Sequence, residues 1–404
     1  MKQRQLTQSA LKATAFFCFL LIFTSILTNC SPSKSSQTID GLQIVAKKVD
    51  GLVTCDYSLL NETVTIPLSA FTAEELKIIK LDDADEALVK NSAALVSDNY
   101  ILIQGSRPVP SKLFEKKTGK FITDIGSYGQ GPNEYVNIYD QQIDEANNRI
   151  FILPWQARSI LVYDLHGNAL EPIPLCHSVP KGGFKVDTKG GTVIVAILPF
   201  QGAEAVVWRQ TFDGKMLNYL SPGHLALPPD FSNEVYVNRE GDVFDFFIFS
   251  FRPRADTLYR YNWSDNKLIP LFTLGLKGLD YIHFYSESSK YFLGNLSEPK
   301  QVSATTTVTQ NQRFFLVDKE TLKGGYFILE NDYLGNIEIG WPISAISGEY
   351  YVYNADPGNL YDELEKQLNS EINLTPEMRE KLTTLKNSIT DNDNNYILYA
   401  KLKK

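Results

Sequence analysis

Cysteine and histidine are both scarce in this chain, and the few present are scattered. Of four cysteines in 404 residues, Cys18 lies in an apolar leader and Cys30 closes it, so the mature body keeps only Cys55 and Cys176. One pair cannot supply the framework of a disulfide-rich domain; the two are either bridged in an oxidising compartment or left as free thiols. His166, His177, His224 and His283 share no motif, and His177 beside Cys176 has no companions at ligand spacing. Neither a metal site nor a cofactor is therefore expected. A serine-nucleophile elbow and a zinc-type His-Glu pairing are also missing, which leaves no catalytic residue to name. Acidic residues are absent from positions 1–29, which hold Lys2, Arg4, Lys12 and the apolar run from Ala13 to Leu27. This reads as a secretory signal. The run is shorter than the ~20 residues that span a bilayer comfortably, and no stop-transfer pattern follows. Without it, 375 residues carry 36 basic and 47 acidic side chains, a net charge of −11. So acidic a body is a poor partner for nucleic acid or for anionic lipid surfaces.

Leu27-Thr28-Asn29-Cys30 resembles the bacterial lipobox. That resemblance implies lipidation of Cys30 and attachment to a membrane through several acyl chains, which hold far more firmly than one. Residues 30–60, opening with the Ser-rich SPSKSSQTID, are read as the lipidated cysteine and a flexible tether. No acidic cluster follows Cys30, so a periplasm-facing outer-membrane lipoprotein is expected. The folded body is assigned to residues 61–404.

That body repeats. A strand from Ala94, an Asp98-Asn99 turn and a second strand are followed by two more strands joined at Lys117-Thr118-Gly119. The cycle returns with turns at Asn147-Asn148 and His166-Gly167-Asn168, then at Lys189-Gly190-Gly191 and Asp213-Gly214. The second-turn glycines stand at 119, 167 and 214, intervals of 48 and 47. Four strands per period of this length are the signature of propeller blades. Looser copies cover Val235–Phe272 and Thr305–Leu329, and a last one begins at Ile343 and closes with NNYILYAKL. The expectation is an all-β, six-bladed β-propeller, with a strand at Thr63–Leu68 completing the final sheet. Leu360, Leu364 and Leu368, then Thr375-Pro376 and Met378, Leu382, Leu385 and Ile389, predict a helical hairpin at residues 358–392 inserted in the last blade. The following DNDNN lacks the glycine and terminal glutamate of a calcium loop and reads as a polar turn.

GSYGQGPNEY, Gly126 to Tyr135, is the most distinctive connector. Gly126, Gly129 and Gly131 have the glycine content of a phosphate cradle. Yet no Gly-Lys-Ser/Thr follows, and VNIYDQQID alternates as a strand instead of opening a helix. The reading is a blade crossing: glycines turn sharply, Pro132 fixes one dihedral, and Glu134 and Tyr135 anchor by hydrogen bonds. Together with KLDDADEALVKN, ADTLYRY and the NNYILYAKLKK ending, this segment is similar to the six-bladed β-propeller lipoproteins of Bacteroidetes. The resemblance implies a fold and an envelope location, and no catalytic residues.

Antiparallel order places the longer second loops of the blades on one face with that connector. The face gathers Arg107, Trp155, Arg158, Phe200, Arg252 and Arg254. Guanidinium forks beside aromatic surfaces suit carboxylated or sugar-like ligands; equally, the arginines could pair with neighbouring blades. The function expected is a non-catalytic binding or scaffold protein for a small ligand, a glycan fragment or another envelope protein. The alternative is a propeller hydrolase or lyase acting on saccharides or peptides.

Overall fold

Most of the turns singled out above reverse neighbouring strands, and the strands assemble into successive antiparallel sheets. The computed structural model describes residues 39, 41–239, 241–252, 254, 256–276, 280–303 and 306–404; the leader, Cys30 and residues 31–38 lie outside them. Blade I is Ala94–Val96, Tyr100–Ile103, Ser111–Glu115 and Phe121–Ile125. Blade II is Ile138–Asp144, Arg149–Pro154, Ala157–Tyr163 and Ala169–Val179. Blade III is Gly182–Asp187, Thr192–Ile197, Val207–Thr211 and Met216–Leu220. Blade IV has Glu234–Asn238, Asp245–Phe249, Leu258–Asn262 and Lys267–Leu274. Blade V has Ile282–Glu287, Tyr291–Gln301, Thr307–Asp318 and Lys323–Asn331.

Sheets stacked face to face bury both sides of their strands, so Thr192–Ile197 is buried at every position and apolar from Val193 to Ile197. Separate apolar cores join blades I and II through Leu113 and Ile152, II and III through Phe151 and Phe184, and III and IV through Val207 and Phe246. A larger core carries blades IV and V onto a final sheet through Phe272, Phe315 and Leu398, and that sheet meets blade I through Ile397 and Phe114. Each sheet thus packs on the next and the last on the first. The arrangement is propeller-like.

Several expectations change. Five blades are complete where six were expected; the final sheet has three strands, Tyr350–Ala355, Tyr396–Lys401 and Lys77–Lys80. Its expected opening strand at Ile343 is instead helix α1, Pro342–Ile346, with Pro342 at the start and Pro342, Ile343, Ala345 and Ile346 all buried. Burial at 342, 343, 345 and 346 around an exposed Ser344, with an N-terminal proline, favours a helical turn over an alternating strand. Thr63–Pro67 does not complete this sheet: it pairs in parallel with Lys323–Asn331 of blade V, and Lys77–Lys80 takes the closing place. Nor does the tether extend to residue 60. Ala46–Val49 and Leu52–Cys55 form a hairpin about Asp50 and Gly51, both at positive φ, and Leu52–Cys55 lies parallel to Lys267–Leu274. Residues 43–80 therefore strap the outer edges of blades IV and V and the final sheet. Edge strands covered in this way are withdrawn from pairing with other chains.

Helices α2, Pro357–Leu368, and α3, Pro376–Ser388, lie between Tyr350–Ala355 and Tyr396–Lys401. The Asp356 carboxylate caps α2 at Gly358 N and Asn359 N, the Thr375 hydroxyl caps α3 at Met378 N, and Leu360, Leu364 and Leu382 are buried. Cys55 and Cys176 are free thiols, and burial pushes Cys55 up to about 12.

Candidate functional site

The connector between blades I and II shows how its side chains are used. Ser127–Tyr128 and Glu134–Tyr135 pair in parallel, closing the loop on itself. The Glu134 carboxylate accepts Gly131 N at 2.8 Å and the Ser127 hydroxyl at 3.3 Å, and it fills the space a side chain at Gly129 would need. Tyr135, 4% exposed, donates its hydroxyl to the Ile125 carbonyl and accepts Ser111 N at 2.8 Å. Gly126 packs beneath the Tyr163 hydroxyl, which donates to the Asn133 carbonyl at 2.8 Å, next to Pro132. The loop's hydrogen-bond capacity is thus largely consumed internally.

Of the loop-face residues, Trp155 and Phe200 are brought together by a third aromatic, Phe231. Phe231 lies edge-on to Phe200 with centroids 4.9 Å apart and to Trp155 at 6.3 Å. The three come from the blade II and blade III second loops and the crossing to blade IV. Phe231 is held from below: Lys181 Nζ donates to its carbonyl at 2.6 Å and to that of Asn233 at 3.0 Å, and contacts the Glu234 carboxylate. The Asp230 carboxylate accepts Ser232 N and the Ser232 hydroxyl, fixing the turn. Trp155 and Phe231 remain 43% and 47% exposed, so the platform faces solvent.

The arginines divide. Arg158 and Arg252 are exposed, and Arg252 lies within electrostatic reach of Asp230. Arg254 is committed to its own loop and to the crossing from blade III, with Nε 3.2 Å from Asp256 and Nη2 donating to the His224 carbonyl at 3.4 Å. Arg107, on blade I, stacks on Tyr128 at 5.5 Å, away from the platform in the contacts described. Phe231 escaped the sequence reading. Its signal was an aromatic in a polar turn, Asp230-Phe231-Ser232-Asn233, where nothing in the strand pattern required one.

Two buried polar clusters lie between blades IV and V. Arg260 spans Asp245 with two bonds of 2.7 and 2.9 Å and also meets Glu287, which Lys319 approaches at 3.1 Å. Asp245 borders a cavity of about 280 Å³ that Trp341 and Ile343 close from the other side. Nearer the loop face, His283 is 4% exposed, stacked on Tyr285 at 4.8 Å and edge-on to Phe247 at 5.7 Å. Neither ring nitrogen has a hydrogen-bond partner among the described residues. Among the described residues no group of His, Cys, Asp and Glu is placed to hold a metal ion.

Burial pushes His283 down to about 4, the Tyr281 backbone opposing the shift and the Arg254 charge adding to it. The folded state resists a proton that the unfolded chain accepts near 6.5, so stability should be full above that pH and fall as pH drops toward 4. The span corresponds to about 3 kcal/mol at most. Urea midpoints of wild type and His283→Phe measured from pH 7.5 to 4.5 should diverge with acid, the wild type losing more; parallel curves would refute the assignment.

The fold defines a β-propeller-like protein with one face built of long loops. The chain belongs to the family described as a domain of unknown function, DUF4934, which matches residues 53–401 and so takes in all but the first residue of the Leu52–Cys55 strand. No curated protein matches the sequence. Among solved structures, a Bacteroides fragilis protein described as exported is 16% identical, covers 87% of this chain and 100% of its own, and superposes with a TM-score of 0.55, a likeness of fold alone. A member of the duf4221 family from Bacteroides vulgatus is 9% identical over 82% of this chain and 97% of its own, with a TM-score of 0.41. Among the described residues no helix is long and apolar enough to cross a membrane.

Proposed function

We propose that this protein is an exported, lipid-anchored binding propeller that presents Trp155, Phe200 and Phe231 to a glycan fragment, with Arg158 and Arg252 meeting carboxylate groups on it. The observation that carries this reading is the platform itself. Two exposed aromatics, Trp155 and Phe231, gathered with the half-buried Phe200 from three separate segments and held by a buried lysine, are costly to leave in water and useful for stacking on a sugar face. The anchor rests on Cys30 and its lipobox-like context, and envelope placement is in keeping with the exported Bacteroides fragilis relative in fold.

The same reading takes the three-stranded sheet as a sixth blade in which α1 stands where the innermost strand would run, with α2 and α3 as a hairpin inserted after its second strand. In support, Gly119 of blade I packs on Lys80 of that sheet as Gly167 of blade II packs on Asp124 of blade I. Hydrogen-exchange protection of residues 350–355 and 396–401 equal to that of the complete blades is expected; rapid exchange there would argue against a sixth blade.

The Cys30→Ser chain, expected to leave the membrane fraction, supplies the protein for the binding test. Acidic oligosaccharides titrated against it should bind, and Trp155→Ala and Phe231→Ala should each weaken binding at least tenfold. As surface changes they should leave stability within about 0.5 kcal/mol. Undiminished binding by both variants would remove the platform from the proposal, and a Cys30→Ser chain still in the membrane would remove the anchor.

A further inference from the structure

The repeat breaks at α1, and a second cavity opens there. Its volume is about 240 Å³, and it lies between α1, the Tyr350–Ala355 strand, the segment after blade V and the first turns of α2. Its polar lining includes two carboxylates and a buried amide. Asn331 is 3% exposed; its side chain meets Tyr351, and its Oδ1 has no hydrogen-bond partner among the described residues. Half-buried Glu363 accepts the Tyr353 hydroxyl on Oε1 at 3.0 Å, and no described donor meets its other oxygen. Glu338 stands at the rim. No lysine, arginine or histidine lines the space; Lys366, one turn along α2, acts on Glu363 only from outside it.

The walls are aromatic. Trp341, 44% exposed, is pinned edge-on to Phe314 at 5.3 Å, and Tyr351 and Tyr353 face the same space. Aromatic faces and unpaired acceptors with no cation among them form a site for a cation that carries its own donors. The volume is below that of ordinary drug-sized pockets and suits a single aliphatic chain.

We propose that this cavity binds a protonated primary alkylamine, whose ammonium donates to Glu363 and Asn331 while its methylenes lie along Trp341 and Tyr353. The ammonium supplies the hydrogens that Asn331 lacks and the positive charge that a half-buried carboxylate lacks. A free diamine and a lysine side chain present the same chemistry. The site is independent of the glycan platform, sharing no residue with it.

The test uses the full-length protein in detergent at pH 7. Pentylamine, 1,5-diaminopentane and Nα-acetyl-lysine amide are titrated by isothermal calorimetry, with pentan-1-ol as the neutral counterpart. At least one amine should bind at least tenfold more tightly than the alcohol. A preference for the lysine derivative assigns the site to a protein side chain, and a preference for the diamine to a free amine. Glu363→Gln should weaken the amine at least tenfold with the urea midpoint unchanged. Should that variant unfold, Trp341→Ala, altered at an exposed ring, should show the same loss. Equal binding of alcohol and amine would overturn the proposal, as would undiminished amine binding by a folded Glu363→Gln or Trp341→Ala protein.

Discussion

Replacing Arg260 with alanine is expected to destabilise the protein by about 3–5 kcal/mol, the usual cost of removing one partner from a buried ion pair. Asp245 is fully buried and Glu287 is 8% exposed, and Arg260 is the group that bonds to both. Without it two carboxylates would share one apolar seam with only Lys319 beside Glu287. Burial already pushes Asp245 up to about 7, with the Glu287 charge adding to the effect and Arg260 opposing it. A carboxyl whose folded value is raised favours the fold at low pH and ceases to do so as pH rises through that value. The deficit of Arg260→Ala should therefore widen from pH 5 to pH 8, read as the shift in urea midpoint at each pH. Adding Asp245→Asn should recover part of the loss by removing the stranded charge. A midpoint unchanged from wild type at pH 8 would show that the network carries little stability.

Charged residues at those positions were visible in the strands but not interpretable. Asp245 lies between Phe244 and Phe246, and Arg260 between Tyr259 and Tyr261, each a charge amid aromatic residues. Their pairing depends on which strands become neighbours, and that is set by tertiary structure. Blades I to III were legible because short-range turn chemistry marks them: Asn-Asn, Gly-Gly and Asp-Gly can be read without knowing what packs where. Blade V was half missed because its first hairpin turns through Ser288, Ser289 and Lys290, which carry no glycine or asparagine signal. The strap at residues 43–80 was misread for a different reason. Its strands join sheets more than 200 positions away, two of them in parallel register as in Val53 opposite Phe272 and Thr63 opposite Tyr326, and alternation alone does not name a distant partner. At the loop face, Trp155 and Phe200 could be placed by blade order. That Arg254 pairs with Asp256 while Arg252 does not required the loop's own conformation.

Gly119→Ala is expected to cost about 3 kcal/mol or more, the combined effect of a disfavoured backbone conformation and a forced backbone shift. Gly119 lies in the last turn of blade I at φ +73°, and an added Cβ would fall 2.0 Å from the Lys80 carbonyl oxygen and 3.0 Å from the Ile79 side chain. Lys80 ends the strand that completes the final sheet, and Asp82 N donates to the Gly119 carbonyl at 2.9 Å across the same seam. The side chain would therefore wedge apart the junction where the end of the chain meets its beginning. Gly51, also in a hairpin turn at φ +88° but with nothing within 4 Å of its Cβ position, isolates the backbone contribution. Gly167 and Gly214 repeat the arrangement between earlier blades with nearest approaches of 2.5 Å to the Asp124 carbonyl and 3.2 Å to the Pro174 ring. Alanine should thus destabilise in the order 119, 167, 214, 51, measured as urea midpoints of the four variants. Backbone at 119 and 167 cannot yield as the Pro174 ring can, so the first two should stand apart from the last two. If Gly119→Ala cost no more than Gly51→Ala, the contact with Lys80 would not hold the ring closed, and closure would have to rest on the apolar core between Phe114 and Ile397 and on the hydrogen bonds across the seam.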